Sequence, residues 1–357
     1  MKKLFICATP FHVFNIINLL SCDEFKTEDQ DVILLDSIVN MEIIREKLTE
    51  IGIFNNVYQF TGSVCNYSVH GLKLAKNYML HLLRVKAFIK KKLKQTSYQE
   101  LYMSCPDIIL NSCLYKHVKK YYPSVRLYYL EDGIGTYIRS IEMFPSKAKF
   151  FFGLIGVNGI EKKVERFLFY APDIVQILDI KKGKLPIPNE LAKERSNLVF
   201  SYNEQQRCLN KRAILFEESF SQDGIEVNDK ELFEIVVNKI GRNNCSLKRH
   251  PRSKSKKLES LNIDILQTVA PWEIFCMNQN MENLILVALS STALLTPKVI
   301  FGQEPRVILL YKLLEHKTGY HSEILEKHII NVKKTYKSSG FYIPETIEEL
   351  ESILERI

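Results

Sequence analysis

Short apolar runs alternate with stretches of helical spacing along this chain. Phe5–Ala8, Val32–Asp36, Asn56–Phe60, Leu101–Met103 and Arg126–Leu130 read as short buried strands. Between them Val13–Leu20, Met41–Ile51, Leu72–Lys94 and Cys113–Tyr121 repeat their apolar residues at the period of a helix. This alternation predicts a parallel sheet in a first domain. Thr9-Pro10-Phe11-His12 forms the first strand-to-helix turn, with Thr9 placed to cap the helix that follows. Lys181–Asn189 carries charge, one glycine and two prolines, suits neither helix nor strand, and marks a linker.

A second alternation follows. Asn197–Ser201, Ala213–Phe216, Cys245–Lys248, Ile263–Leu266, Leu284–Ala288 and Arg306–Tyr311 read as strands. Lys230–Ile240, Trp272–Asn278 and Ala293–Ile300 read as helices, and Glu345–Ile357 as a terminal helix returning across the domain boundary. The expected architecture is α/β and GT-B-like: two Rossmann-like domains with a central cleft. The expected divisions are 1–185, 186–340 and a C-terminal helix in 341–357. A periplasmic-type binding protein has the same outline, but an export signal is not evident, and fold class alone does not decide function.

Composition narrows the class. The 357 residues suffice for two ordinary domains, and 46% hydrophobic with 25% charged residues describes a globular chain. The apolar run after Lys2-Lys3 ends at Thr9-Pro10, too soon for a signal peptide, and no stretch approaches a membrane span. A cytoplasmic location is therefore expected. The eight cysteines are scattered, without a CxxC pair or metal-ligand spacing, and read as free thiols. The net charge of +8 favours an anionic partner. Part of that excess lies in 84–94, a basic amphipathic segment with two readings: peripheral contact with anionic lipid, or a solvated helix face.

Candidate chemistry gathers where strands end, which is where open α/β sheets collect ligands. Leu130-Glu131-Asp132-Gly133 puts two carboxylates at such an end, and successive side chains alternate in direction. One can face a ligand as a general base while the other supports it; the plainer reading is an acidic turn. Gly133 lets the backbone turn sharply there. Lys248-Arg249-His250-Pro251 ends a second strand, about 120 residues on, with three groups suited to a phosphate. Pro251 holds His250 extended. Glu273 stands at the start of a predicted helix, suited to ribose hydroxyls or to the helix dipole. Ser290-Ser291-Thr292 opens a helix, either as an anion site or as plain capping. Asp29-Gln30-Asp31 precedes its strand, which argues against a metal role. A P-loop, a GxSxG nucleophile elbow and an RNA-type aromatic motif are all missing, so nucleic acid is not the expected partner.

Taken as an ordered set, Glu131-Asp132-Gly133, His250-Pro251, Glu273 and Ser290-Ser291 resemble the bacterial sialyltransferases, in which a D/E-D/E-G motif and an HP motif mark the catalytic cleft and a serine pair follows. With the opening Cys7-Ala8-Thr9-Pro10-Phe11-His12 and the overall length, the chain is similar to glycosyltransferase family 52, which contains lipooligosaccharide and capsule sialyltransferases. The resemblance implies a CMP-sialic acid donor, a galactose-terminated glycan or glycolipid acceptor, an α2,3 linkage formed with inversion, and no cofactor or metal. It implies Asp132 as the base and His250 as the group that helps CMP leave. Glu131, Gly133, Thr9, Pro10, Lys248, Pro251, Glu273, Ser290, Ser291 and Thr292 would line the substrates. Asp223 and Asp229 stay open as alternative bases. Other readings are another nucleotide sugar as donor and a non-catalytic glycan binder at the membrane surface. A homodimer is compatible with the family.

Overall fold

The computed structural model describes residues 2–25, 29–62, 72–94, 97–104, 107–133, 135–138, 153, 159–177, 179–202, 211–220, 224–250, 253, 255–266, 270–315 and 323–357. Asp223, Pro251, Cys65, Cys105 and Cys208 lie outside them. The chain divides into two compact units, 1–200 and 201–357.

In the first unit the strands are β1 (Lys3–Cys7), β2 (Gln30–Leu35), β3 (Asn56–Phe60), β4 (Glu100–Met103), β5 (Arg126–Leu130), β6 (Arg166–Phe169) and β7 (Lys182–Lys184). They form one parallel sheet in the order β3-β2-β1-β4-β5-β6-β7. Its helices are α1 (Pro10–Leu20), α2 (Met41–Glu50), α3 (Leu72–Lys92), α4 (Ile108–Tyr121), the single turn α5 (Gly135–Ile138) and α6 (Glu190–Val199). Central β1 is buried throughout, as a parallel strand covered on both faces must be. Thr9 caps α1 by accepting the His12 N–H, and Pro10 occupies the first helical position, where its missing N–H costs nothing. Every residue of α1 from His12 to Leu20 is buried.

The second unit repeats the plan. Strands β8 (Ala213–Phe216), β9 (Cys245–Lys248), β10 (Asp264–Ile265), β11 (Ile285–Ala288), β12 (Arg306–Leu309) and β13 (Phe341–Tyr342) lie parallel in the order β10-β9-β8-β11-β12-β13. Its helices are α7 (Asp229–Ile240), α8 (Trp272–Asn278), α9 (Thr296–Phe301), α10 (Glu323–Thr335) and α11 (Ile347–Arg356).

Five expectations change. Asn197–Ser201 is no strand: its first residues end α6, where Asn189 accepts the Ala192 N–H at 2.9 Å and Ala192, Ser196 and Val199 bury one helical face. A short apolar run looks the same in strand and helix, and here the cap decides. Helix α6 packs on α1 and α2, and Arg195 and Asn189 donate to the end of α1, so the first unit runs to Phe200 instead of 185. The supposed linker contains β7, whose Gly183 faces Leu168 of β6 in the register. The tail helix α11 packs on α7, and Leu350, Ile353 and Leu354 join the second unit's core. The segment read as one helix at Ala293–Ile300 is a 3-10 turn, Thr292–Leu295, followed by α9, which has Pro297 in its first turn.

Burial in the second unit makes stability depend on pH. His328 on α10 is 2% exposed, and burial pulls its imidazole down to about 4. The unfolded chain, with a pKa near 6.5, binds a proton that the folded chain refuses between those values. Stability should therefore fall as pH drops through that window, by roughly 3 kcal/mol in all. Urea midpoints of wild type and His328→Leu at pH 7 and pH 4 check this, and the variant should lose less on acidification.

Candidate functional sites in the two units

In the first unit the carboxyl end of β5 delivers Glu131 and Asp132 to opposite tasks. Glu131 is 2% exposed. Its Oε2 accepts the Tyr170 N–H at 2.8 Å and the Tyr137 hydroxyl, and its carbonyl accepts from Asn15 Nδ2 at 3.0 Å. Burial, with the Glu131 carboxylate beside it, pushes the Tyr137 phenol well above its ordinary range, so Tyr137 stays a donor. Asp132 points outward, with its side chain 35% exposed. Its Oδ1 lies 2.6 Å from Nε2 of the fully buried His12. The other ring nitrogen of His12, Nδ1, accepts the Ala8 N–H at 3.0 Å. A nitrogen that accepts carries no proton, so the proton sits on Nε2 and is donated to Asp132. The Asp132 N–H donates to Thr136 Oγ1 at 2.8 Å, and Gly133 turns the chain with φ of +68°, a conformation that favours glycine. Thr9 and Pro10 form the cap and first turn that set His12 in place.

This arrangement can do one piece of chemistry well. His12 cannot take a proton on Nδ1 without losing the Ala8 bond, so it orients. Asp132, held at one oxygen and open at the other, is placed to accept a proton from a hydroxyl. The DxD segment sits at the other end of the sheet, at the start of β2. There Asp31 is fully buried and accepts from Tyr98 and Asn56 at 2.6 and 2.9 Å. Among the described residues no group of three or more His, Cys, Asp or Glu side chains is positioned to hold a metal ion.

In the second unit the strand order reverses direction between β8 and β11, the switch point at which such sheets bind ligands. Glu218 follows β8 and Ser290 follows β11, and they meet. Glu218 accepts the N–H groups of Ser290 and Ser291 at 2.6 and 2.9 Å and the Ser290 hydroxyl at 2.6 Å. Burial raises the Glu218 carboxyl above the usual range, against the pull of those donors. The N–H groups expected to meet a phosphate thus hold the protein's own carboxylate. Ser291 also caps the 3-10 turn, and Thr292 opens that turn.

Lys248, at the end of β9, stands 5.8 Å from the Phe216 ring centroid and 5.9 Å from that of Trp272. Burial lowers its pKa, and Glu273 and Cys276 oppose that shift. Burial raises Glu273, with Lys248 opposing. The structure thus brings Lys248 and Glu273 together. The His250 N–H donates to Glu217 Oε2 at 3.2 Å, Arg249 Nε to the same oxygen at 3.3 Å, and Ser253 Oγ to Oε1 at 2.7 Å. Glu217 therefore shapes the loop that carries His250. Asp229, an alternative base, is engaged by Lys257 at 2.5 Å and the Lys230 N–H at 2.9 Å.

His12, Glu217 and Glu218 were not singled out from sequence. A signal existed for the glutamates: Phe216-Glu217-Glu218 repeats the pattern of a buried strand ending in an acidic pair seen at Leu130-Glu131-Asp132. His12 offered only its place in the first turn.

Comparison with known proteins gives the site a context. A family described as Alpha-2,8-polysialyltransferase (POLYST) matches residues 3–311. No curated protein is a significant match. Among solved structures, UDP-GlcNAc 2-epimerase from Methanocaldococcus jannaschii aligns with a TM-score of 0.54 at 14% identity, over 100% of this chain and 92% of that one. The glycotransferase of kitacinnamycin aligns at 0.53 and 9%, over 99% and 90%. Arabidopsis thaliana UGT89C1 complexed with UDP-L-rhamnose aligns at 0.53 and 10%, over 99% and 88%. At these identities the likeness establishes the α/β, GT-B-like fold.

The Glu218 bond across the switch point yields a measurable coupling. Glu218→Ala should destabilise by about 1–3 kcal/mol, because two backbone N–H groups lose their acceptor. A double-mutant cycle with Ser290→Ala, read from urea midpoints, should give a coupling of roughly 1 kcal/mol or more. Additive losses would mean that the two groups do not interact.

Proposed function

Since the chain belongs to the alpha-2,8-polysialyltransferase family, we propose that it transfers sialic acid from CMP-sialic acid to a hydroxyl of a glycan. Membership makes it a glycosyltransferase; the donor, acceptor and linkage are the substance of the proposal. The observation that carries it is the Asp132 carboxylate, exposed at the end of β5 with one oxygen held by the Nε2 proton of buried His12.

In the proposed reaction the acceptor hydroxyl gives its proton to the free oxygen of Asp132 as its own oxygen attacks the anomeric carbon. The bond from that carbon to the CMP phosphate breaks, and attack from the opposite face inverts the β-linked donor to an α-sialoside. Charge builds on the departing phosphate, where Lys248, His250 and the serine pair would offset it. Glu273 would hold the ribose. Ser290 and Ser291 donate to Glu218, so in this scheme the donor phosphate would have to displace that carboxylate to reach them. His12 touches no substrate in this scheme; it positions Asp132.

Two acceptors fit the scheme. One is a terminal galactose joined through an α2,3 linkage, as the resemblance to glycosyltransferase family 52 implies for lipooligosaccharide or capsule. The description of the matching family favours a terminal sialic acid with an α2,8 linkage. Incubation with CMP-sialic acid and either lactose or sialyllactose, followed by mass spectrometry and NMR, distinguishes them. Transfer from UDP-sugars but not from CMP-sialic acid would refute the donor.

The roles of the pair are separable in kinetics. Asp132→Asn should keep CMP affinity and lose at least ~10²-fold in kcat, as a lost general base does. His12→Asn should lower kcat by up to roughly 10²-fold through misplacement of Asp132, again with CMP affinity unchanged. Near wild-type turnover in Asp132→Asn would remove it from the reaction.

A further inference from the structure

Helices α3 and α4 border an open cavity of about 610 Å³, lined by Lys86, Lys90, Lys94 and Lys116 with Ile89, Cys113, His117 and Tyr121. It belongs to neither candidate site. No Asp or Glu occurs in 72–94 or in 108–126. A solvated helix face ordinarily mixes its charges; this one has a single sign. The chemistry of the lining, four ammonium groups and no carboxylate, suits a phosphate.

The same helix is also apolar where it should be wet. Met79, Leu80 and Leu83 are 42%, 43% and 56% exposed. Met79, Leu83, Lys86 and Lys90 follow at i, i+4, i+7 and i+11, so they form one stripe along α3, and Lys94 continues it just beyond the helix end. Val85 and Ile89 lie on the inner, buried side of the helix, where Ile89 borders the cavity. An outward stripe of large apolar residues running into lysines is the pattern of a helix that lies in a membrane interface.

We infer that this face docks on an anionic bilayer, with the phosphate of one lipid headgroup seated in the α3–α4 cavity and Met79, Leu80 and Leu83 entering the acyl boundary. A soluble polyanion would use the lysines but has no use for the exposed apolar residues, which is why the membrane is the occupant. The inference stands apart from the proposed reaction, since it needs none of the residues assigned there. No helix among the described residues is long and apolar enough to cross a membrane, so the contact is peripheral.

The test is flotation of the full chain with phosphatidylglycerol/phosphatidylcholine vesicles and with phosphatidylcholine vesicles alone. The protein should float with the first and not the second, and high salt should release it. Combined Lys86→Glu, Lys90→Glu and Lys94→Glu should weaken partitioning on the order of 100-fold, since each basic residue at an anionic surface contributes several-fold. Met79→Ser with Leu83→Ser should weaken it separately. None of the five positions is among the residues assigned to the reaction, so CMP release on a soluble acceptor should not change, and circular dichroism reports folding if activity is lacking. Failure of wild type to float would overturn the inference. So would a lysine effect without an apolar effect, combined with displacement by a soluble anionic glycan, because that result assigns the cavity to a glycan chain.

Discussion

The first unit depends on one helix that is buried on all sides and yet carries polar groups inward. His12, Asn15 and Asn18 recur every three residues along α1, and all are fully buried. Such groups cost several kcal/mol each unless they find partners. Each finds one at the carboxyl edge of the sheet or just beyond it: His12 holds Asp132, Asn15 holds the Glu131 carbonyl and the Tyr170 hydroxyl, and Asn18 donates to Tyr170 and the Pro186 carbonyl. A shift of α1 would break all of these at once. The geometry of the candidate base is thus a consequence of how a core helix satisfies its polar atoms.

Both units use an acidic pair at a strand end in the same way. The first carboxylate of each pair is buried and organises backbone. Glu131 receives Tyr170 and Tyr137, while Glu217 receives His250, Arg249 and Ser253. The second is held by a group from a neighbouring element, Asp132 by His12 and Glu218 by Ser290 and Ser291. Alternation of side chains along an extended strand explains why neighbours in sequence part so cleanly. The two second members then differ in environment. Asp132 keeps an oxygen open to solvent, whereas Glu218 fills the donors at its own switch point. That difference gives the first the position of a base and makes the second an internal anion, where a phosphate belongs in the proposed scheme.

Charge is distributed with the same economy. The +8 excess is not spread evenly, for the α3–α4 cavity of the first unit is lined by lysines and no carboxylate, while the cavity beside β8 in the second unit sets Glu217, Glu218, Glu226, Asp229, Glu231 and Glu315 against the single cation Lys257. An anionic ligand is therefore disfavoured within the β8 cavity, whose lining does not include the serine pair. The favourable ground in that unit lies at the lysine framed by Phe216 and Trp272.

Sequence by itself determined the α/β alternation, the central strands and the two ionisable strand ends. Buried parallel strands must be continuous apolar runs, and a ligand-facing turn must follow them in the chain. These are local rules, and β3 and β5 and helix Trp272–Asn278 match the sequence reading at both ends. The helix at Asn197 needed tertiary contacts because an apolar run of three or four residues fits strand and helix alike; the edge strand β7, Lys182-Gly183-Lys184, has no apolar residue at all, and it and the docking of the tail are set only by their neighbours. The same holds for the site. Glu131-Asp132 announced itself, but which of the two faces outward depends on Tyr137 and Tyr170 arriving from later in the chain. The grip of His12 on Asp132 and of Ser290 on Glu218 joins residues 120 and 72 positions apart. No local pattern encodes such a meeting; it exists only once each sheet has gathered the carboxyl ends of its own strands.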